Sequence, residues 1–340
     1  MTFNSLILIW FDKNKRNLPW REDQDPYKIW LSEIILQQTR VAQGLDYYLK
    51  FIENFPTVKH LAEADETEVL KLWQGLGYYS RARNLHFTAR YIVENLNGKF
   101  PDNFTDLLQL KGVGEYTAAA IASIAFHEAV PAIDGNAFRV YARYYNIDID
   151  IATPRAKKYF FELGKAIMDL KRPGDFNQAV MELGATVCTP VNPKCEICPV
   201  NESCEALAKN TVNQLPVKSK KVKVKHRNFH FLEISDGENF LIKKRTENDV
   251  WKNLYNFPLF ETTSIEDELK KINLNLNLIK TQEQKHILTH QKLQITFWKV
   301  IVDEKTLKNL SEKLNAEIIV QENLEQLPLP RPMEKYFSGN

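Results

Sequence analysis

Cysteine is missing from this 340-residue chain except at four positions between 188 and 204. A disulfide framework scatters its cysteines, and a reducing compartment would not keep one, so clustering of this kind points to a metal or cluster site. No excess of either charge sign is present, since 45 Lys and Arg face 43 Asp and Glu. That balance excludes a global field that gathers nucleic acid, and any basic surface has to be local. Long apolar runs are lacking too. The run 6–11 is too short to span a bilayer and lacks the basic flank of a signal peptide. It continues through Asp12, Lys13, Lys15 and Arg16 as an amphipathic first helix, so a cytoplasmic protein is expected. Alternating strand patterns are absent before about residue 210, and there is no internal repeat or low-complexity tract.

What is present divides the chain by texture. Apolar positions recur at helical spacing over 26–38, 67–76, 80–96, 118–126 and 155–170, with prolines between these stretches or at their starts. An all-α region over residues 1–210 is predicted. Next comes a basic stretch, 211–227, in which Lys218, Lys220, Lys221, Lys223, Lys225 and Arg227 occur without an acid over 217–227. Such a run either lies along a phosphate backbone or is a solvated linker. From 228 to 340 the pattern changes to strands at 229–234, 240–244 and 293–302, and helices at 264–272 and 305–314. A separate C-terminal α+β domain is expected.

Three groups of residues carry chemistry. Cys188, Cys195, Cys198 and Cys204 are separated by six, two and five residues, and four thiolates so close in sequence can wrap either zinc or an iron–sulfur cluster. In the stretch 107–143, Gly112 and Gly114 let the chain reverse sharply before a helix that begins near Glu115. The free N–H groups of that helix and the charge of Lys111 make a ready anion site. Glu33 interrupts an apolar helix face, where burial would raise its pKa and let it donate a proton near neutral pH. Asp134 stands where a further helix begins; an N-cap is its ordinary role, and that place favours the ionised form. One carboxyl held neutral and another held anionic is the division of labour that cleaves a glycosidic bond.

Taken together, these residues resemble a known family. The stretch LKGVGEYTAAAIASIAF is similar to the helix-hairpin-helix of the endonuclease III superfamily of DNA glycosylases, and the 6-2-5 cysteine spacing is similar to its iron–sulfur loop. Within that superfamily, LPWR (18–21), DPYKIWLSEIILQQTRV (25–41) and GLGYYSRARNL (75–85) resemble adenine DNA glycosylases of the MutY type. The resemblance implies a [4Fe–4S] cluster on Cys188, Cys195, Cys198 and Cys204. It implies that Glu33 protonates adenine, that Asp134 faces the sugar cation, and that Tyr116 and Asn136 support Asp134 and the intermediate. Arg21 and Trp30 would line the adenine pocket, while Gln38, Thr39, Leu76 and Tyr78 would enter the duplex around the opposite base. Lys111, Gly112 and Gly114 would grip a phosphate.

The same resemblance extends to the C-terminal half. Residues 241–261 look like the Nudix-like recognition domain of this family, and Leu288-Thr289-His290 stands where the family often has Phe-Ser-His, so Thr289 and His290 are implied to read the lesion. The glutamate-rich metal box of a working Nudix hydrolase is not found in 264–273. What is implied is a monomeric, bacterial, nucleoid-associated enzyme acting on double-stranded DNA that holds adenine opposite 8-oxoguanine or guanine. Tyr116 stands where a bifunctional glycosylase/lyase needs a lysine, so the monofunctional branch is expected. The rival readings are that bifunctional enzyme and a non-catalytic iron–sulfur DNA-binding protein, which would not need Glu33 and Asp134 together.

Overall fold

The computed structural model describes residues 2–219 and 224–338. The chain forms two compact units, one of residues 1–62 with 87–220, the other of residues 63–86 with 221–340.

The first unit is helical. Asp25 accepts from the Tyr27 N–H at 2.9 Å and Pro26 occupies the first helical position, so the helix Pro26–Leu36 starts where the sequence predicts. It runs through Glu33 and ends two residues before the expected limit. Glu115–Ala125, Gly135–Tyr144, Pro154–Ile167 and Pro173–Thr186 follow. Phe11, Tyr141, Phe160, Phe176 and Leu183 meet in one core, each almost fully buried. Burying an aromatic or aliphatic side chain of this size stabilises a fold by about 1.5–3 kcal/mol, so this cluster fixes the mutual packing of helices Phe3–Asn14, Gly135–Tyr144 and Pro173–Thr186. Gly184 lets the last two come close: a Cβ there would lie 2.5 Å from the Asn136 Cβ.

Gly112 has φ +83°, the left-handed geometry that lets the chain turn into the helix Glu115–Ala125. Gly114 departs from expectation. Its φ is −94°, which any residue adopts, and a Cβ would meet nothing within 4 Å.

The second unit contains the sheet. Its strands are β1 (Lys225–Ser235), β2 (Asn239–Lys244), β3 (Tyr255–Asn256), β4 (Leu259–Glu261), β5 (Ile279–Leu288), β6 (Gln291–Ile301) and β7 (Glu317–Val320). The main order is β3-β2-β1-β6-β5, with β1 and β6 parallel from Lys225↔Gln291 to Ser235↔Ile301. Helices Ile265–Lys271 and Glu304–Leu314 pack Ile265, Leu269, Leu307 and Leu310 against Leu232, Ile234 and Val300.

Two expectations need correction here. β1 begins at Lys225, inside the stretch read as linker. Arg227 is turned inward rather than toward phosphates: it pairs with Asp249 at 2.5 Å and Glu261 at 2.6 Å and its side chain is 7% exposed. A guanidinium held by two carboxylates is already neutralised. Lys218 and Lys225 are exposed, while Lys220, Lys221 and Lys223 lie outside the described residues. No helix among the described residues is long and apolar enough to cross a membrane.

Candidate active site

Glu33 and Asp134, a hundred residues apart in sequence, line one cavity of about 500 Å³. Arg16, Trp20, Arg21, Gln38, Thr39, Tyr116, Asn136, Met181 and Glu182 also face it. Its size suits a small planar ligand. A larger cavity of about 700 Å³ adjoins it at Gln37 and Tyr116, but among the described residues its only carboxylate is Glu115, so the paired-acid chemistry belongs to the smaller one.

Each acid is placed by local structure. Asp134 caps the helix Gly135–Tyr144, with Oδ1 accepting from the Ala137 N–H at 2.7 Å and Oδ2 from Asn136 Nδ2 at 2.7 Å. Asn136 is itself held by the buried Arg139, whose Nη2 donates to Asn136 Oδ1 at 2.8 Å and to the Gly184 carbonyl at 2.7 Å. Glu33 hydrogen-bonds the Tyr116 hydroxyl. Burial pushes the Glu33 carboxyl up to about 7, with the Asp134 charge adding to the rise and Tyr116 and Arg21 opposing it. Asp134 departs from its expected behaviour: burial raises it, outweighing the Ala137, Asn136 and Arg139 contributions that favour the anion. The proton nevertheless belongs on Glu33 near neutrality, because Asp134 alone has two hydrogen-bond donors fixed on its oxygens.

Trp30 requires correction. It is fully buried, packed against the Tyr27 and Phe100 rings at 6.3 and 5.4 Å, and does not line the cavity; Trp20 does. Leu76 is likewise buried, where the resemblance implies a side chain presented to the duplex. Arg21 lies at the cavity as expected, and it is anchored by a residue that no motif singles out. The Glu182 side chain has no exposure and accepts from Arg21 Nη2 at 2.9 Å and from Arg16 Nε at 2.5 Å. A glutamate in the middle of the apolar helix Pro173–Thr186 is the only sequence signal for it. Lys111 does not enter this cavity; its Nζ sits 4.2 Å from the centre of the Phe87 ring.

The residues expected to enter a duplex fall in both units. Gln38 and Tyr78 share one trait: both are exposed and both take left-handed backbone, with φ 56° and 48°. Non-glycine residues in that region are strained, and strain of this kind collects at functional sites. Within the second unit the Tyr78 hydroxyl hydrogen-bonds the Thr289 hydroxyl. Thr289 and His290 form the exposed turn between β5 and β6, and the His290 carbonyl accepts from the Lys225 N–H at 2.9 Å.

Cys188, Cys195, Cys198 and Cys204 carry free thiols that surround one small cavity. Among the described residues no three His, Cys, Asp or Glu stand close enough to share a single metal ion. Four thiols around one cavity suit a polynuclear cluster, in which each iron takes one thiolate. Burial raises the Cys195 and Cys204 thiols and pushes Cys198 up to about 12, so binding must displace their protons. Arg143 reaches across this loop, donating to the Thr189 carbonyl at 2.7 Å and to Cys188 Sγ at 3.4 Å, while Arg139 Nε donates to the Cys188 carbonyl at 2.7 Å. One helix therefore carries Asp134 at its start and grips the thiol loop with its side chains.

Comparison with known proteins agrees with this geometry. Residues 31–166 match the model of the HhH-GPD superfamily of base excision DNA repair proteins, residues 188–204 that of the iron–sulfur binding domain of endonuclease III, and residues 230–339 that of the NUDIX domain. An adenine DNA glycosylase of Buchnera aphidicola subsp. Schizaphis graminum is 37% identical over 338 residues, covering 98% of this chain and 97% of its own. The adenine DNA glycosylase of Homo sapiens is 46% identical over 222 residues, covering 63% of this chain and 41% of its own. A solved thermostable thymine-DNA glycosylase, 30% identical with a TM-score of 0.56, covers 61% of this chain and 95% of its own.

Proposed function

Because the chain belongs to the adenine DNA glycosylases of the HhH-GPD superfamily, we propose that it removes adenine mispaired with 8-oxoguanine or guanine, as a monofunctional enzyme. It is an N-glycosylase of base excision repair, and its four cysteines hold a [4Fe–4S] cluster. The observation that carries the finer reading is one cavity holding Glu33, whose carboxyl burial pushes up to about 7, and a doubly hydrogen-bonded Asp134.

The flipped adenine enters that cavity, since the glycosidic bond is out of reach inside the stack. Glu33 gives its proton to adenine N7, the C1′–N9 electron pair passes to the base, and neutral adenine leaves. Asp134 faces the sugar cation, with Asn136 holding its carboxylate in place; water then adds at C1′ and its proton returns to Glu33. Tyr116 supplies no amine for a Schiff base, and none of the described residues lining the cavity is a lysine, which supports the monofunctional branch. Cys188, Cys195, Cys198 and Cys204 would hold the cluster, whose thiolate bonds would brace the 188–204 loop that Arg139 and Arg143 join to the helix after Asp134.

In this reading residues 1–210 are the catalytic region, the basic linker ends before β1, and the chain from Lys225 onward is the lesion-reading domain of a monomer working on nucleoid DNA in the cytoplasm. Oxidation at guanine C8 turns N7 from acceptor to donor, which the Thr289 hydroxyl can accept, while His290 probes the groove edge. Lys111, Gly112 and Gly114 hold a phosphate, and Gln38, Thr39 and Tyr78 prop the stack open. The test is a duplex with adenine opposite 8-oxoguanine. Strand breaks should appear only after alkali, with little adduct trapped by borohydride; efficient trapping would overturn the monofunctional reading, and intact adenine would overturn the activity.

A further inference from the structure

Met181 lies beside the acid but has no part in the chemistry so far. Its Sδ is 3.1 Å from the Tyr116 hydroxyl, which donates to it, and the same hydroxyl meets Glu33. A phenol carries one hydrogen and can give it to one acceptor only. Given to the Glu33 carboxylate, that hydrogen holds the Glu33 pKa down; given to the sulfur, it leaves the contact with Glu33 to run the other way, from the carboxylic acid O–H to the phenol oxygen. A thioether cannot donate, so this pairing has one direction.

We propose that Met181 is a positioning residue: its thioether takes the Tyr116 hydrogen and thereby leaves the phenol oxygen to accept from protonated Glu33, keeping the acid loaded with the proton that adenine needs. The inference rests on the reading of Glu33 as the acid. Removing the sulfur frees the phenol hydrogen to turn to the Glu33 carboxylate, and a hydrogen bond donated to a carboxylate favours its charged form. Loss of Met181 therefore makes Glu33 give up its proton at lower pH. The other groups around Glu33 are unchanged by that substitution: Asp134 at the start of the helix Gly135–Tyr144, Arg21 of the turn Pro19–Arg21, Arg16 after the first helix, and Glu182 on Met181's own helix.

The measurement is the single-turnover rate of adenine release against pH for the full-length protein, the M181L variant, and protein in which methionine is replaced by selenomethionine. Leucine fills nearly the same volume without an acceptor, whereas selenium keeps one. M181L should move the midpoint of the alkaline limb down by about one pH unit, so that above both midpoints its rate, taken as a fraction of its own plateau, is about tenfold below the parent's. Selenomethionine should leave the limb where it was. A limb unmoved or raised in M181L, or displaced equally by selenomethionine, would overturn the inference. E33Q run in parallel separates the two claims: if it retains activity the acid assignment itself fails, and if it is inactive while M181L has the parent profile, only the role of Met181 fails.

Discussion

Glu33 is a carboxyl whose environment opposes its charge, and that has a cost visible outside catalysis. Its folded-state value is raised from 4.5 to about 7 by burial and by Asp134. Folded protein therefore keeps a proton that unfolded chain releases between those values, and stability falls as pH rises through that window. E33Q carries no charge at any pH. It should melt at a higher temperature than the parent at pH 7.5, with the difference vanishing below about pH 4.5. Equal melting temperatures across that range would mean that Glu33 is not held neutral. The same value predicts that adenine release declines through an alkaline limb centred near pH 7, measured as single-turnover rate. At this scale the sequence is readable in part. Glu33, Tyr116, Asp134 and Asn136 carry motif signals and share the site, and Trp20 sits within the LPWR stretch, but Glu182 does not stand out from other acidic residues. What makes Glu182 matter is that two arginines from the first 21 residues converge on it, a long-range contact no spacing encodes.

The helix Gly135–Tyr144 joins the reacting end of the site to the thiol loop. Asp134 caps it, Arg139 holds Asn136 and the Cys188 carbonyl, and Arg143 binds the Thr189 and Pro190 carbonyls. R143M keeps an apolar stem but removes these donors. Purified R143M should retain clearly less iron and acid-labile sulfide per chain than the parent, which should hold about four of each; full occupancy in R143M would show that the arginine does not secure the loop. Gly112 is the point of strain in the hairpin. G112A places a side chain at φ +83° and should destabilise by about 1 kcal/mol or more in denaturant unfolding, whereas G114A should be near neutral in the free protein because its backbone is ordinary. Elements with an apolar stripe, such as Pro26–Leu36 and Ser80–Asn95, are legible from spacing. β5 is not: its sequence IKTQEQKHIL is polar, and only pairing with β6 makes it a strand at the sheet edge.

For the whole molecule, a boundary drawn along the sequence does not describe the packing. Residues 63–86 belong to the catalytic half by sequence pattern yet pack with the C-terminal unit: Lys71 Nζ donates to the Glu325 carbonyl at 2.6 Å, Asn253 Nδ2 to Glu66 at 2.5 Å, and Arg83 to the Lys252 carbonyl at 2.9 Å. Composition and periodicity carry no trace of such pairings. Deleting the C-terminal half would strip partners from residues 63–86, so point variants are the cleaner test of lesion reading. T289A with H290A should narrow the preference for 8-oxoguanine over guanine opposite adenine by about 1–3 kcal/mol, read as the ratio of single-turnover rates on the two duplexes. Replacing Lys218, Lys220, Lys221, Lys223 and Lys225 by alanine should instead weaken binding to both duplexes alike. It should also flatten the log–log slope of affinity against salt by about 0.9 for each phosphate that is no longer neutralised. Arg227 is excluded from that set by its buried ion pairs.

The central claim is that a protonated Glu33 expels adenine from a mispair with 8-oxoguanine. It is tested most directly by the single-turnover rate of adenine release from that duplex, compared between parent and E33Q, with duplex affinity measured on the same preparations. The parent should release adenine, and E33Q should be slower by roughly two to four decades while binding the duplex nearly as tightly, because proton donation matters only in the transition state. An E33Q rate within a few-fold of the parent would contradict the account.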